Sequence, residues 1–493
     1  MAELAVSFFA GGLGVLLLGW LLSGGRRRRA MSFSSSVMVT GAFPPEAGVV
    51  PPVINTLFLL GECPGRDLVA KAVSGVLYYD RFRSVVRQSA RDGWFFETLS
   101  DFDVSSAIEE RHVNGEEELR QAVESISKLP MRDLGSHPAW AIYLLRNSDG
   151  VSALLVRIHH VIGDGMSLVS ALARIFDEYK DADRMVTDVS DVLPKPKSSR
   201  QGDLLSRLRK LVASVGGLFF ILGLPNSSYD SEIKFTSPEK RRLRMTEHRT
   251  TVLFPSLKLE FIKRIKAKAG VTVNDVMMAI TAGAIRRYCE EFDDPALKSK
   301  VQSRALVPVA FPRSPEKLLD PVNALRNYWA FISCPLPIGS SSSRERLLKS
   351  SQEMSFVKAS SMAPIQMFLQ TFILPLLPQF LQRKTAYDIF SRHSIVFSNV
   401  PGPPAPIHFC GEKVLGIQVI FPNLLPQTLI ISYAGEMFMN MVLDTQLAEQ
   451  GETLLPQYYL EEALSLAKAF EIEADVASVV SPVSEGGIFS VIS

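Results

Sequence analysis

The chain of 493 residues is 47% hydrophobic, has a mean hydropathy of +0.14, and sets 53 basic against 51 acidic side chains. One hydrophobic core does not organise that length, so two units of roughly 200 residues are expected, with apolar material to spare for lipid or an apolar substrate. The basic runs at residues 26–29, 195–210 and 240–244 lack the interleaved aromatics of a nucleic-acid platform and suit an anionic membrane surface, while Cys63, Cys289, Cys334 and Cys410 show neither disulfide-framework nor metal-ligand spacing.

Residues 4–22 form an apolar stretch just long enough to cross a bilayer, and four arginines follow it at once. A cleavable signal would carry its charge ahead of the apolar part, whereas here Glu3 precedes it. The charge bias predicts a single-pass N-terminal transmembrane helix within residues 1–30, with the N-terminus outside or in a lumen and the body in the cytosol. A transit peptide and a buried helix are the rival readings. Residues 31–52, rich in Ser, Gly and Pro, read as a flexible link.

The first subdomain is expected over residues 53–180. Strands are predicted at 55–60 and 82–88 with a helix at 67–78 between them. A hairpin of 140–145 and 151–158 follows, turned at Asn147-Ser148-Asp149-Gly150. Leu168, Leu172, Ile175, Phe176 and Tyr179 then recur at the spacing of one helical face. Periodicity dissolves over 181–249, which reads as a linker. Its apolar stretch 211–224 either lies at a membrane interface or packs on the body.

The second subdomain is expected over 250–474. Helices are predicted at 256–269, 274–288, 343–360 and 454–470, and strands at 305–311, 328–334, 393–398, 414–421, 428–433 and 437–443. Residues 362–381 are apolar but contain Pro364, Pro375 and Pro378, so no straight helix is expected there; the segment lines a cavity or touches a bilayer. Residues 475–493 read as a weakly ordered tail. The two halves mix helix and strand alike, which reads as an α+β fold and allows two related subdomains with a cleft between them.

Chemistry concentrates where the hairpin gives way to the helix, at His159-His160-Val161-Ile162-Gly163-Asp164-Gly165. Such a run can be a plain polar loop, and no further ligands are spaced to make it a metal site. Strand alternation turns the two histidines to opposite faces, so they cannot share one task. His160 is the candidate general base and His159 a structural residue. Asp164 is expected to pair with an arginine or to cap the next helix, holding the loop. Gly163 and Gly165 are expected to keep bulk away and to allow unusual backbone angles.

The stretch resembles the HHxxxDG motif of CoA-dependent acyltransferases with a chloramphenicol-acetyltransferase-like fold. Within that superfamily the chain resembles the wax ester synthase/diacylglycerol acyltransferase family. Tyr79-Asp80-Arg81-Phe82-Arg83 is similar to the family's "HPRFR", Pro138-Ala139-Trp140 to "PLW", Thr272-Val273-Asn274-Asp275-Val276 to "TVNDV", Arg304 to Val309 to "LVPVS", and Ser398-Asn399-Val400-Pro401-Gly402-Pro403 to "SNVPGP". Tyr79 and Asp80 replace the usual His-Pro, Ala139 replaces Leu, and Leu325-Arg326-Asn327 stands where a "GN" pair is expected.

The resemblance implies two subdomains around a central tunnel. Acyl-CoA would enter from one side and diacylglycerol or a long-chain fatty alcohol from the other, giving triacylglycerol or wax ester with no metal or redox cofactor. His160, Asp164 and Gly165 occupy the motif's positions. Asn274, Asp275 and Asn399 take tunnel or supporting roles by resemblance, although their residue types at helix starts and before Pro-Gly turns also suit plain caps. The alternatives are a condensation-type or other HxxxD acyltransferase, although no DFGWG stretch is present, and a non-catalytic lipid-binding relative.

Overall fold

The computed structural model describes residues 28–90, 93–179, 216–219, 221–236, 243–311, 313–360 and 362–481. Two sheets carry the fold. The first has six strands in the spatial order His408–Phe409, Glu412–Ile420, Val53–Leu60, Ser152–His159, Trp140–Asn147 and Ile108–Val113. The second has seven, running Trp329–Pro335, Arg304–Ala310, Ile395–Pro401, Gln427–Tyr433, Glu436–Asp444 and Arg249–Leu253, with Leu257–Lys258 pairing beside Glu436–Asp444. A three-stranded ribbon, Arg28–Ala30, Gly93–Thr98 and Ser84–Ser89, completes the mixed α+β architecture.

Central strands read as unbroken apolar runs because both faces are covered. Every residue of Ser152–His159 is buried, and so are all but one of Val53–Leu60. Helix Val273–Glu291 is buried almost all round through its middle, and Thr272 with Asp275 closes its first turn as a reciprocal capping box. The hairpin turn at residues 147–150 is made with Gly150 at φ 119°, a conformation few other residues take.

Four expectations change. Residues 31–52 are no loose link: Arg28–Ala30 pairs with Gly93–Thr98, and Phe33–Thr40 is a helix started by the Ser32 hydroxyl, which accepts from the Ser35 N–H. Serine-rich sequence has little helical propensity of its own, and this helix is fixed by packing, with Ser35 fully buried. The described part of 475–493 is likewise tied down, by helix Val476–Val479 and a bridge from Val480 to Leu257.

Residues 221–236 of the supposed linker run against the second half, where buried Asp230 pairs with Arg304 at 2.7 Å. The boundary between subdomains is also crossed, since Glu412–Ile420 leaves the second half to pair with Val53–Leu60 in the first sheet. A strand that changes sheets looks the same in sequence as one that does not.

The 4–22 stretch lies outside the described residues. Among the described residues no helix is long and apolar enough to cross a membrane. Residues 362–381 break as the prolines require: helix Met362–Phe368 carries Pro364 in its first turn, a π-type turn Leu369–Ile373 and a 3-10 turn Leu374–Leu376 follow, and Pro378 caps helix Gln379–Ser391.

Candidate active site

The strand Ser152–His159 delivers the histidines to the seam between the halves. The His159 N–H still donates to the Ala139 carbonyl at 2.8 Å, but the chain then turns, and the His160 N–H donates to Pro52 at 2.7 Å. His159 is therefore the last strand residue and His160 the first of the turn. The buried His159 ring accepts the Val161 N–H on Nδ1 at 3.1 Å. Burial, with His160 beside it, pushes its pKa down to about 3, so it stays neutral and serves the turn.

His160 is half-buried, its ring 5.7 Å from that of Phe421 and 6.0 Å from that of Trp329. Asn327 grips it twice. The Asn327 Nδ2 donates to the His160 carbonyl at 2.6 Å and to Ser35 Oγ at 3.2 Å, while Oδ1 lies 2.8 Å from the ring Nδ1. A carbonyl can only accept, so the amide nitrogen is fixed and Oδ1 must face the ring as an acceptor. The ring Nδ1 then carries the proton and Nε2 keeps its lone pair. Burial holds the His160 pKa below its ordinary value of 6.5, and the Asp164 charge and the Asn327 hydrogen bond oppose that shift in part. The result is a neutral imidazole with a fixed tautomer.

Asp164 does not touch the ring. Its Oδ1 accepts from Ser167 N at 2.9 Å and Ser167 Oγ at 2.7 Å, capping helix Gly165–Leu172. Its Oδ2 accepts from the Tyr328 N–H at 2.8 Å and pairs with Arg313 at 2.5 Å. Arg313 also donates to Ser167 Oγ and to the Ala324 carbonyl. One carboxylate thus both caps a helix of the first half and pairs with an arginine of the second. Arg81, buried over the Phe96 ring, donates to the carbonyls of Val161 and Ile162 and fixes the other side of the turn. Burial and the nearby Arg29, Arg326 and Arg313 pull its pKa down to about 9, which leaves it charged at neutral pH.

Of the two roles expected of the glycines, the unusual backbone angles do not occur, while the exclusion of bulk holds at Gly163. Neither Gly163 nor Gly165 has a positive φ. A Cβ on Gly163 would lie 3.1 Å from the Ser167 Cβ, close enough that Ser167 would have to shift by a few tenths of an ångström, whereas one on Gly165 would make ordinary contact with Val400 at 3.6 Å. In the other motif, a Cβ on Gly402 would meet the Ser432 carbonyl at 2.3 Å.

Asn274 and Asn399 come together, with Asn399 Nδ2 donating to Asn274 Oδ1 at 2.6 Å. Asp275 turns back to the Thr272 N–H at 2.8 Å as a cap. An apolar cavity of about 100 Å³ opens beside Gly165, lined by Ile54, Met166, Val169, Val400, Pro403 and Ile417 among others. Sequence reasoning missed Asn327, Arg313, Ser167 and Ser35. Asn327 carried a signal as the asparagine left where the "GN" pair was expected, and Arg313 carried one by residue type alone, since Asp164 was expected to pair with an arginine.

A histidine with one free ring nitrogen, held at the seam of two mixed halves, is an arrangement for acyl or proton transfer, and the fold has known counterparts. The wax ester synthase/diacylglycerol acyltransferase from Marinobacter aquaeolei VT8 superposes with a TM-score of 0.56 at 18% identity, covering 90% of this chain and 100% of that one. The first condensation domain of the CDA synthetase gives 0.57 at 12% identity, covering 92% and 99%; at such identities the likeness is one of fold.

Sequence carries the assignment further. Residues 76–277 match the wax ester synthase/diacylglycerol acyltransferase catalytic domain, and residues 325–467 match the WS/DGAT C-terminal domain. The chain belongs to the wax ester synthase/diacylglycerol acyltransferase family and is an O-acyltransferase. A putative diacylglycerol O-acyltransferase of Mycobacterium bovis is 26% identical over 381 residues, 73% of this chain and 82% of that protein. Wax ester synthase/diacylglycerol acyltransferase 8 of Arabidopsis thaliana is 24% identical over 384 residues, covering 70% and 77%.

Proposed function

We propose that the protein transfers an acyl group from acyl-CoA to the hydroxyl of diacylglycerol or a long-chain fatty alcohol, yielding triacylglycerol or wax ester and free CoA. The free Nε2 of His160 is the observation that carries this reading. The acceptor O–H donates to Nε2, its oxygen attacks the thioester carbonyl carbon, and the proton moves to the imidazole as the C–O bond forms. The tetrahedral adduct collapses with cleavage of the C–S bond, and the imidazolium returns the proton to the leaving sulfur.

Asn327 Oδ1 accepts from Nδ1–H throughout, and Asp164 favours the transient cation from a distance. The step balances with these two substrates alone. The seam is taken as a central tunnel, with the apolar cavity beside Met166 and Val400 suited to an acyl chain. Residues 4–22 are assigned as a single-pass anchor in the endoplasmic reticulum membrane, with the catalytic body cytosolic. Expression in a host lacking neutral-lipid synthesis is expected to restore triacylglycerol, or wax ester when a long-chain alcohol is fed; accumulation of neither ester sinks the proposal.

The depressed pKa sets the pH dependence. Neutral His160 is the active form, so kcat/KM is expected to be level through neutral pH and to fall only as pH drops through a value below 6.5. The Asn327 hydrogen bond raises that pKa. Asn327→Leu is therefore expected to move the acid limb to still lower pH while cutting kcat roughly tenfold or more, as the base loses its fixed tautomer. An acid limb that stays in place or moves up contradicts the proposed clamp.

A further inference from the structure

The broken segment 362–381 carries an apolar ridge on the outside of the protein. Leu376 is 79% exposed, Phe380 67% and Phe372 60%, with Phe368 and Ile373 beside them. Residues 216–219 and 221–222 continue it: a Cβ on Gly217 would lie 3.2 Å from Met362 and 3.7 Å from Ile365, and Phe219 is 70% exposed. Apolar side chains gathered this densely on a surface mark an interaction site.

We propose that this ridge docks on a lipid surface bearing anionic headgroups and feeds the acceptor to His160. The proposal rests on the acyl-transfer reading given above, and it adds a place on the fold where the substrate's source is met. Two observations choose the occupant. The ridge's own stretch, residues 354 to 387, holds no carboxylate and carries Lys358, Arg383 and Lys384, of which Lys384 pairs with Asp388 just beyond it at 2.5 Å. A second copy docked by two-fold symmetry would bring these like charges together, whereas an anionic surface neutralises them while the aromatic side chains enter the headgroup boundary.

The second observation is the short path inward. Gln370, in the π-type turn between Phe368 and Ile373, donates to Ser34 Oγ at 3.1 Å and to the Trp329 carbonyl at 3.5 Å. The Trp329 ring lies 6.0 Å from that of His160. One layer of side chains therefore separates the ridge from the base, and an acyl acceptor leaving a lipid surface here need not cross water.

The test uses the full chain with Phe372→Trp or Phe380→Trp, and Leu68→Trp on helix Arg66–Val73 as control. Each is mixed with vesicles of phosphatidylcholine and phosphatidylserine brominated in their acyl chains. Quenching above the native tryptophan background is expected at 372 and 380 and not at 68. In parallel, Phe372→Gln/Leu376→Gln/Phe380→Gln is expected to leave transfer to a soluble short-chain alcohol unchanged and to lower transfer to bilayer-held diacylglycerol about tenfold. Equal quenching at all three sites, or none at 372 and 380, overturns the proposal. So does tryptophan shielding without lipid that is lost on dilution, which assigns the ridge to a second copy, or that is lost on deleting residues 1–27, which assigns it to this chain's own N-terminus. A wild-type protein that makes ester from neither acceptor defeats the acyl-transfer reading instead, while quenching still reports on docking.

Discussion

Replacing His160 by alanine is expected to lower ester formation by about 10³-fold, the middle of the range a positioned general base contributes, with the protein still folded. The loss follows from geometry. Asn327 commits Nδ1 to its own Oδ1, so Nε2 is the one ring atom left to take the acceptor's proton, and alanine removes it. The stability cost is smaller. A half-buried ring is deleted and Asn327 Oδ1 loses its partner, together on the order of 1–3 kcal/mol.

His159→Ala reverses the pattern. It strips the Val161 N–H of its acceptor inside the core, so stability falls by a similar amount while most activity remains. Labelled acyl-CoA assays and denaturant midpoints on both variants separate the roles. An H160A protein that keeps making ester at the wild-type rate rules out the assigned base.

Much of this site was legible because local chemistry announces it. The all-buried strand before His159 follows from its apolar run and the turn at residues 147–150 from its residue types, whereas the helix expected through Tyr179 ends at Leu172, and Ile175 and Tyr179 fall in two 3-10 turns separated by an extended Phe176. The separation of the two histidines was anticipated from strand alternation. The structure gives another cause, since the strand ends at His159 and each ring is held by its own partner, Val161 N–H for one and Asn327 for the other.

What was not legible depends on contacts between distant segments. Asn327 comes from 167 residues further along the chain, and Ser35 reaches Asn327 from a helix whose sequence reads as a flexible link. Arg313 could be anticipated as a residue type beside Asp164, though not by number, because any of the chain's arginines satisfies that requirement until the fold selects one. The strand Glu412–Ile420 shows the same limit at the level of domains: its apolar pattern fits either sheet, and packing against Val53–Leu60 decides. Gly163 illustrates a limit of residue type, since glycine signals either backbone freedom or close approach, and here it is the second.

The pair Asp164–Arg313 is where stability and chemistry meet, and its variants are expected to diverge. Both side chains are nearly sealed from water, 3% and 8% exposed, so removing either leaves the other charge buried without its partner. Asp164→Ala is expected to cost about 3–5 kcal/mol, including the lost helix cap, and Arg313→Leu nearly as much. The double variant removes both charges together, and its cost should fall short of the sum of the singles by about 1–3 kcal/mol in a double-mutant cycle on denaturant midpoints.

Kinetics should split what stability joins. The Asp164 charge raises the His160 pKa, so Asp164→Asn moves the acid limb of kcat/KM to lower pH. Arg313→Leu leaves the carboxylate and removes its counter-charge, so the imidazolium is favoured more and the limb moves up. Shifts in the same direction for both variants would mean that Asp164 acts on His160 by holding the loop alone, without an electrostatic part in the proton transfer.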